Sequence, residues 1–538
     1  MFRKLTVANL IDRSARKYGD KLFAVAEEPV ESDYLPDGHD GVHFTCNDTL
    51  RITNIFAAAM REKLGVRAGD RIAVVLTNVP EIGTIFTAAA RLGAVTVPFN
   101  FMLKAEELTR MVNDCGAKVM FTEPELFRQN IRDKANVPGI DHWIMVGGRD
   151  EVPEGFLSID ELAEGLTDEF VEPVDLDPDA TTAIFYTSGT TGFPKGAMLT
   201  SRNLLSSVTK SVRMLRLGRK DFGIGVLPLA HIFGFNTMIV GGIYSGASGQ
   251  LMRFFDPEKV LASIEKNRAT LFLGVPAMYN FLLQFHPERY DLSSIRYWLS
   301  GADAMPVEHI KRFESFGGRF IEGYGLVETA PIVSVNLPVI RRPGSIGMPV
   351  PGVKVRIMGE DGNMLKRGEV GEIVVRGPNV MKGYYNDPER TREAFRYGWF
   401  HTGDVGYRDR IGFIYFSDRE KDVIKAGGYS VFSREVEEEI LENPKVLEVA
   451  LVGEPHPTKG EVPVAFIQLK DGCEATEEEL IAWSRERIAA YKAPRRIIIL
   501  EEMPLTMTLK VMKKDLRKRL EDEQALKGET VPLKRKEE

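Results

Sequence analysis

The sequence predicts an α/β protein. A large N-terminal domain of layered sheets and helices, with a β-rich subdomain, is followed by a small α+β C-terminal domain. Three observations predict this. The 538 residues are too many for one ordinary core. Short apolar runs alternate with helix-period patterns through the first 330 residues, the rhythm of layers built on largely parallel sheets. From about Gly344 the texture changes to short alternating segments punctuated by Gly and Pro, and after Asp418 to a compact helix–strand–strand pattern.

The first element is an amphipathic helix: Leu10, Ile11 and the run Ser14 to Tyr18 fit helical spacing, with Thr6 as its cap. Strands follow at 71–76, 94–99, 118–122, 142–146, 223–227, 269–275 and 297–300. The apolar stretch from Thr84 to Leu103 is broken by Arg91, Pro98 and Asn100, so it reads as a buried helix and a strand rather than a membrane span. The N-terminal domain is placed at 1–417, with strands 353–358 and 372–376 in a β-rich subdomain at 344–417. The C-terminal domain is placed at 418–538: Glu435 to Ile440 opens a helix, and 449–453 and 464–468 are strands. The end, LysArgLysGluGlu, reads as a solvated tail.

Composition narrows the function. A hydrophobic content of 43%, a charged content of 27% and a net charge of −7 fit a soluble globular enzyme and give nucleic-acid binding no support. Cys46, Cys115 and Cys473 are scattered, with no C-x-x-C, which speaks against a disulfide framework or zinc site and for a reducing, cytoplasmic location. The N-terminus carries Arg3, Lys4, Arg13, Arg16 and Lys17 without an apolar core, so it is no secretory signal.

The chemistry concentrates in five stretches. Tyr186 to Thr200 (YTSGTTGFPKGAMLT) follows an apolar strand and precedes a helix start at MLTSRNLL, with Thr200 or Ser201 as cap. Thr187, Ser188, Thr190 and Thr191 offer hydroxyls; Gly189, Gly192 and Gly196 let backbone N–H groups approach a ligand; Lys195 adds a charge. Such a loop suits nucleotide phosphates. It is not a P-loop, because Pro194 precedes the lysine and Gly196 follows it. In EGYGLVETAP (322–331), Gly323 and Gly325 flank Tyr324, an aromatic face for a base, and Glu328 is a hard oxygen ligand suited to Mg²⁺. In GWFHTGDVG (398–406), the Asp404 carboxylate can accept both hydroxyls of a ribose. DREKDVIKAGGYS (418–430) places Arg419, Lys421, Lys425, Gly427 and Gly428 at the domain boundary. MPLTMTLKVMKKDL (503–516) carries Lys510, with Lys513 and Lys514 read as surface charges. Alone, each stretch also fits a bland role: a surface loop, a turn, a solvated charged face.

Together, and in this order, they resemble the AMP-forming acyl-adenylating superfamily of acyl-CoA synthetases, luciferases and peptide-synthetase adenylation domains. The runs GYGLVETAPIVSVN and RGPNVMKGYYNDPE (376–389) are most similar to the fatty-acyl-CoA ligases. The resemblance implies that Thr187 and Glu328 hold the Mg²⁺ that bridges ATP phosphates. It gives the nucleotide Thr187 to Gly192, Lys195, Gly301 and Ala302 of the turn SerGlyAlaAsp (300–303), Gly323 to Gly325, Asp404 and Arg419. Lys510 contacts the reacting carboxylate and the α-phosphate; Lys421 is a hinge for a mobile C-terminal domain; Lys425, Gly427 and Gly428 form the face used for the thioester step. His231 and Phe235 line the acyl pocket, where each also suits plain core. Val327 and Leu509 stand where the family usually has Thr and Gly.

The implied activity is adenylation of a medium- or long-chain fatty acid and transfer of the acyl group to CoA, using ATP and Mg²⁺. An aryl acid, or a carrier protein as acceptor, is the alternative. A non-catalytic binding protein rests only on Val327 and Leu509. Homodimerisation and contact with a membrane surface stay open.

Overall fold

The computed structural model describes residues 4–147, 152–187, 194–303, 305–427, 429–505 and 511–526. It resolves into two compact units, Met1–Val355 with Val375–Phe400, and Arg356–Val374 with His401–Glu538.

The larger unit is built on two sheets. One runs, edge to edge, Gly383–Tyr384, Lys195–Thr200, Thr181–Thr187, Val95–Pro98, Arg71–Val75, Val119–Thr122, His142–Met145 and Leu157–Ser158. It is parallel from Thr181–Thr187 to Leu157–Ser158 and antiparallel at the other edge. Its central strands are near-continuous Val, Ile and Met because both faces are covered. Helices Ala105–Cys115 and Pro124–Asn130 pack Leu108, Met111, Val112, Leu126 and Phe127 against Val95, Val97, Met120 and Met145.

The second sheet has the order Met348–Pro349, Ile332–Val335, Arg319–Gly325, Tyr297–Gly301, Leu271–Gly274, Phe222–Gly225, Ser248–Leu251, Leu22–Val25 and His43–Thr45. It too is parallel through its centre and antiparallel at both edges. The α/β layering expected from the alternation is therefore present.

The structure refines three local readings. The stretch around Arg91 is a buried helix, Glu81–Leu92, then the strand Val95–Pro98. Arg91 itself is fully buried, because its guanidinium donates to Asp12 Oδ1 at 2.8 Å and to the Val171 carbonyl at 2.6 Å. The N-terminal helix begins at Leu10 after Asn9; Thr6 instead opens a preceding 3₁₀ turn, its N–H donating to Asn9 Oδ1 at 3.0 Å. After the Gly-rich loop, MLT is the end of a strand, and the helix starts one residue past Thr200.

In the smaller unit most of a four-stranded sheet is formed by Lys354–Met358, Gly371–Arg376, Phe400–Arg408 and Ile414–Arg419. A five-stranded sheet follows, centred on the antiparallel pair Val446–His456 and Gly460–Leu469, with Arg496–Leu500 parallel to the latter. Strand periodicity sorts its side chains. Val449, Leu451, Ala465 and Ile467 face one cluster with Val436, Ile440 and Leu480 of two helices. Ala450, Val452, Val464 and Phe466 face another with Leu516 and Leu520 of the last helix.

Candidate active site

The Gly- and Thr-rich stretch joins two paired strands: Tyr186 lies opposite Gly196, and Thr187 opposite Lys195. Gly196 is required by this pairing, since a Cβ there would meet Ile184 Cγ2 at 2.8 Å. Ser188, Gly189, Thr190, Thr191 and Gly192 lie outside the described residues. Thr200 caps the following helix, Ser201–Met214, accepting the Asn203 N–H at 3.2 Å on its hydroxyl.

A short strap, 381–385, is laid along the second strand of this hairpin. Lys382 N–H donates to Met198 O at 3.0 Å and Tyr385 N–H to Gly196 O at 2.7 Å, while Met381 N–H donates to Glu328 O at 2.7 Å. Gly383 has φ 149°, and a Cβ there would press on Thr391 Cγ2 at 2.8 Å. The strap aims Tyr384 inward. Its hydroxyl donates to Glu328 Oε1 at 2.9 Å, and the Lys195 ammonium sits 5.1 Å from its ring centroid. Burial, followed by the Glu328 charge, pushes the phenol far above its ordinary range, so it remains a donor. Sequence reasoning missed Tyr384 as a site residue; the only signal was a glycine set before two aromatic residues.

The residues expected to meet the nucleotide sit at strand ends. Gly301 and Gly323 are partners on adjacent parallel strands, Tyr324 lies opposite Ser334, and Ala302 takes a left-handed φ of 75° as the chain leaves its strand. Ligands in open α/β sheets bind at such carboxyl ends. A Cβ on Gly325 would lie 1.5 Å from the Pro331 carbonyl oxygen, so no other residue fits there. The turn runs straight into Val327–Thr329, the 3₁₀ helix that carries Glu328.

His231 precedes the short helix Ile232–Gly234, and its Nδ1 accepts the Phe233 N–H at 3.2 Å. In the neutral ring the proton then sits on Nε2. The Phe233 ring lies 3.4 Å from where a Gly301 Cβ would be, a contact that no motif announces. Phe235 is fully buried, edge-on to Phe86 at 4.6 Å and to Phe185 at 5.1 Å.

Among the described residues there is no group of three or more His, Cys, Asp or Glu that would cage a metal. The single carboxylate of Glu328, held by a phenol, suits a hard cation that keeps its waters and takes its other oxygens from phosphates.

In the smaller unit Asp404 is buried and lies opposite Arg419 across a strand pair, with Arg419 Nε 3.6 Å from Asp404 Oδ1. Glu372 props the preceding turn, accepting the Gly403 N–H at 2.9 Å and pairing with His401 Nδ1 at 2.6 Å. Lys421 is exposed in the 3₁₀ turn Glu420–Asp422. Lys425 lies on the strand Ile424–Ala426 opposite Ser430, its ammonium donating to Ser430 Oγ at 2.9 Å. Gly427, at φ 59°, begins the turn to the partner strand Tyr429–Val431. Gly428 and Lys510 lie outside the described residues. Lys513 is a correction: its ammonium donates to Ser433 Oγ at 2.6 Å and pairs with Glu437 at 2.8 Å. Burial opposes its charge, and Glu437, Asp418 and Asp422 overcome that, so its pKa rises. Arg517, one turn on, donates to Asp422 Oδ1 at 2.5 Å.

Residues 11–385 match the AMP-binding enzyme family, and residues 435–510 the AMP-binding enzyme C-terminal domain. The chain belongs to the AMP-binding enzymes. This AMP-binding enzyme is 36% identical over 505 residues to a long-chain-fatty-acid–CoA ligase of Bacillus subtilis, covering 88% of this chain and 89% of that one. It is equally 36% identical, over 486 residues, to a feruloyl-CoA synthase of an Amycolatopsis species, covering 89% and 95%. Among solved structures it resembles ATP-bound MatB from Rhodopseudomonas palustris, with 29% identity, a TM-score of 0.86 and coverage of 96% and 99%. It is thus an ATP-dependent, AMP-forming acid–thiol ligase of the acyl-CoA synthetase kind. The fatty-acyl subtype expected from the sequence is not distinguished from an aryl-acid ligase. Among the described residues, no helix is long and apolar enough to cross a membrane.

Proposed function

We propose that this enzyme activates an aromatic carboxylic acid, of the hydroxycinnamate or benzoate class, as its acyl-adenylate and transfers the acyl group to CoA. The observation that carries the choice of acid is the burial of Phe235. Its ring is closed off by Phe86 and Phe185, while the Phe233 ring lies 3.4 Å from where a Gly301 Cβ would be. That arrangement suits a short, planar acid better than a long chain threaded past Phe235. The likeness to a feruloyl-CoA synthase supports it. The equal likeness to a long-chain-fatty-acid–CoA ligase supports the second reading, a fatty acid.

A carboxylate is a poor acyl donor, and its attack on the α-phosphorus of ATP brings two anions together. In this reading Lys195 and the loop N–H groups would take the phosphates, Tyr324 the adenine, Asp404 and Arg419 the ribose, and Lys510 would offset the charge of carboxylate and α-phosphate. Thr187 and Glu328 would hold Mg²⁺, which would supply neutralisation of phosphate charge. The carboxylate oxygen bonds to the α-phosphorus, pyrophosphate leaves, and acyl-AMP remains. The CoA thiolate then attacks the carbonyl and AMP leaves. The Lys425–Gly428 hairpin serves this second step, after the C-terminal domain turns about Lys421.

ATP–pyrophosphate exchange with hydroxycinnamates, benzoates and fatty acids of graded length tests the proposal. Exchange strongest with an aryl acid is expected. Exchange with fatty acids alone would replace the aryl reading, and none with any acid would favour a non-catalytic binding protein.

A further inference from the structure

We propose that Tyr384 is a positioning residue that holds the Glu328 carboxylate in place for the divalent cation of the nucleotide complex, and seats Lys195 beside it. The inference rests on the reading of Glu328 as a metal ligand.

Three observations carry it. The Tyr384 hydroxyl donates to Glu328 Oε1 at 2.9 Å, a charge-assisted bond that fixes one carboxylate oxygen. The backbone of the same strap holds the backbone of the same glutamate, through Met381 N–H to Glu328 O at 2.7 Å, so both ends of Glu328 are set by one segment. The Lys195 ammonium lies over the Tyr384 ring at 5.1 Å, so a single side chain touches a cation aimed at phosphates and a carboxylate aimed at metal. The side chain that touches both groups is only 8% exposed. The strap that delivers it is specified by Gly383, whose φ and closeness to Thr391 exclude a side chain, and by Thr391 Oγ1, which accepts the Tyr384 N–H at 2.9 Å.

Outer partners of metal ligands typically govern affinity by about 10–100-fold. The test is Mn²⁺ binding, read by electron paramagnetic resonance, in the presence of α,β-methylene-ATP. Wild type, Glu328→Gln, Tyr384→Phe and the double variant are compared. Tyr384→Phe keeps the ring and removes only the donor. We expect it to weaken Mn²⁺ by about 10-fold, and to have little further effect in the Glu328→Gln background. Steady-state kinetics should show KM for MgATP rising by a similar factor while KM for the acid and for CoA stays put. Loss of Mn²⁺ in Glu328→Gln with wild-type binding in Tyr384→Phe would overturn the positioning role alone. Equal Mn²⁺ binding by wild type and Glu328→Gln would overturn the metal reading of Glu328 and the inference with it. An effect of Tyr384→Phe that persists in full without Glu328 would mark a merely structural role and overturn the proposal as well.

Discussion

At the residue scale the site divides by how each side chain acts. Glu328 is proposed to act on the metal, so its charge matters more than its shape. Glu328→Gln keeps size and hydrogen-bonding to Tyr384 yet removes one negative charge from the cation. The exchange rate should fall by about 10²–10³, the loss seen when one preorganised electrostatic group is removed. Raising Mg²⁺ should recover part of the loss, and a chelator in excess over Mg²⁺ should abolish exchange in wild type and variant alike. Lys510 is proposed to act only in the adenylation step. Lys510→Ala should lose about 10²–10³ in pyrophosphate exchange but still convert supplied acyl-AMP and CoA to thioester. Near wild-type exchange by this variant would remove Lys510 from the mechanism. Glu328 and Lys510 can be singled out in the sequence because each sits inside a contiguous motif. Tyr384 cannot be, since its meaning depends on a partner 56 residues away, brought close by strand pairing. Lys513 misled for the same reason. A run of lysines reads as solvated until the strands and helices that bury one of them are known.

At the level of elements, hydrophobic rhythm predicted where strands lie but not how they pair. The runs at 71–76, 118–122 and 142–146 appear as neighbouring parallel strands. The strand Lys195–Thr200 was absent from the prediction because Gly196 and the polar ends blur its alternation. Its existence is imposed from outside, by Thr181–Thr187 on one side and Gly383–Tyr384 on the other. Arg91 shows the converse case, a charge that looked like an interruption and is a tie. It joins the helix Glu81–Leu92 to Asp12 of the first helix with no exposure to water. Asp12→Ala would leave a buried guanidinium short of its anion, and breaking such a pair costs about 3–5 kcal/mol. The expected result is a lower unfolding midpoint of the larger unit in a denaturant titration. A midpoint unchanged from wild type would show that the Val171 carbonyl suffices to hold Arg91.

Across the whole molecule, the change of texture near Gly344 and again near Asp418 was legible because turn residues and strand lengths change there. The compact units follow a different line, since Arg356–Val374 groups with the chain beyond His401. A strand belongs to the sheet it pairs with, and pairing over tens of residues leaves no local mark in sequence. That grouping bears on the hinge. Asp418 and Asp422 bracket Lys421, and both are held from within the smaller unit. The Ser433 N–H donates to Asp418 Oδ2 at 2.5 Å, and Arg517 donates to Asp422 Oδ1. Ser433 in turn takes Lys513, so the residues just after the Lys510 segment grip both sides of the turn that holds Lys421. These ties cross the turn that holds Lys421, so the rotation proposed there has to break the hold on Asp418 or on Asp422. Lys421→Pro fixes φ there and removes an N–H. If the restriction costs the roughly 3 kcal/mol of a misplaced proline, whichever half-reaction needs the disfavoured arrangement should slow on the order of 10²-fold. Exchange and thioester formation, measured separately on the same preparation, should then part company. An equal loss in both would mean that the proline damaged the fold, and no loss in either would place the pivot elsewhere.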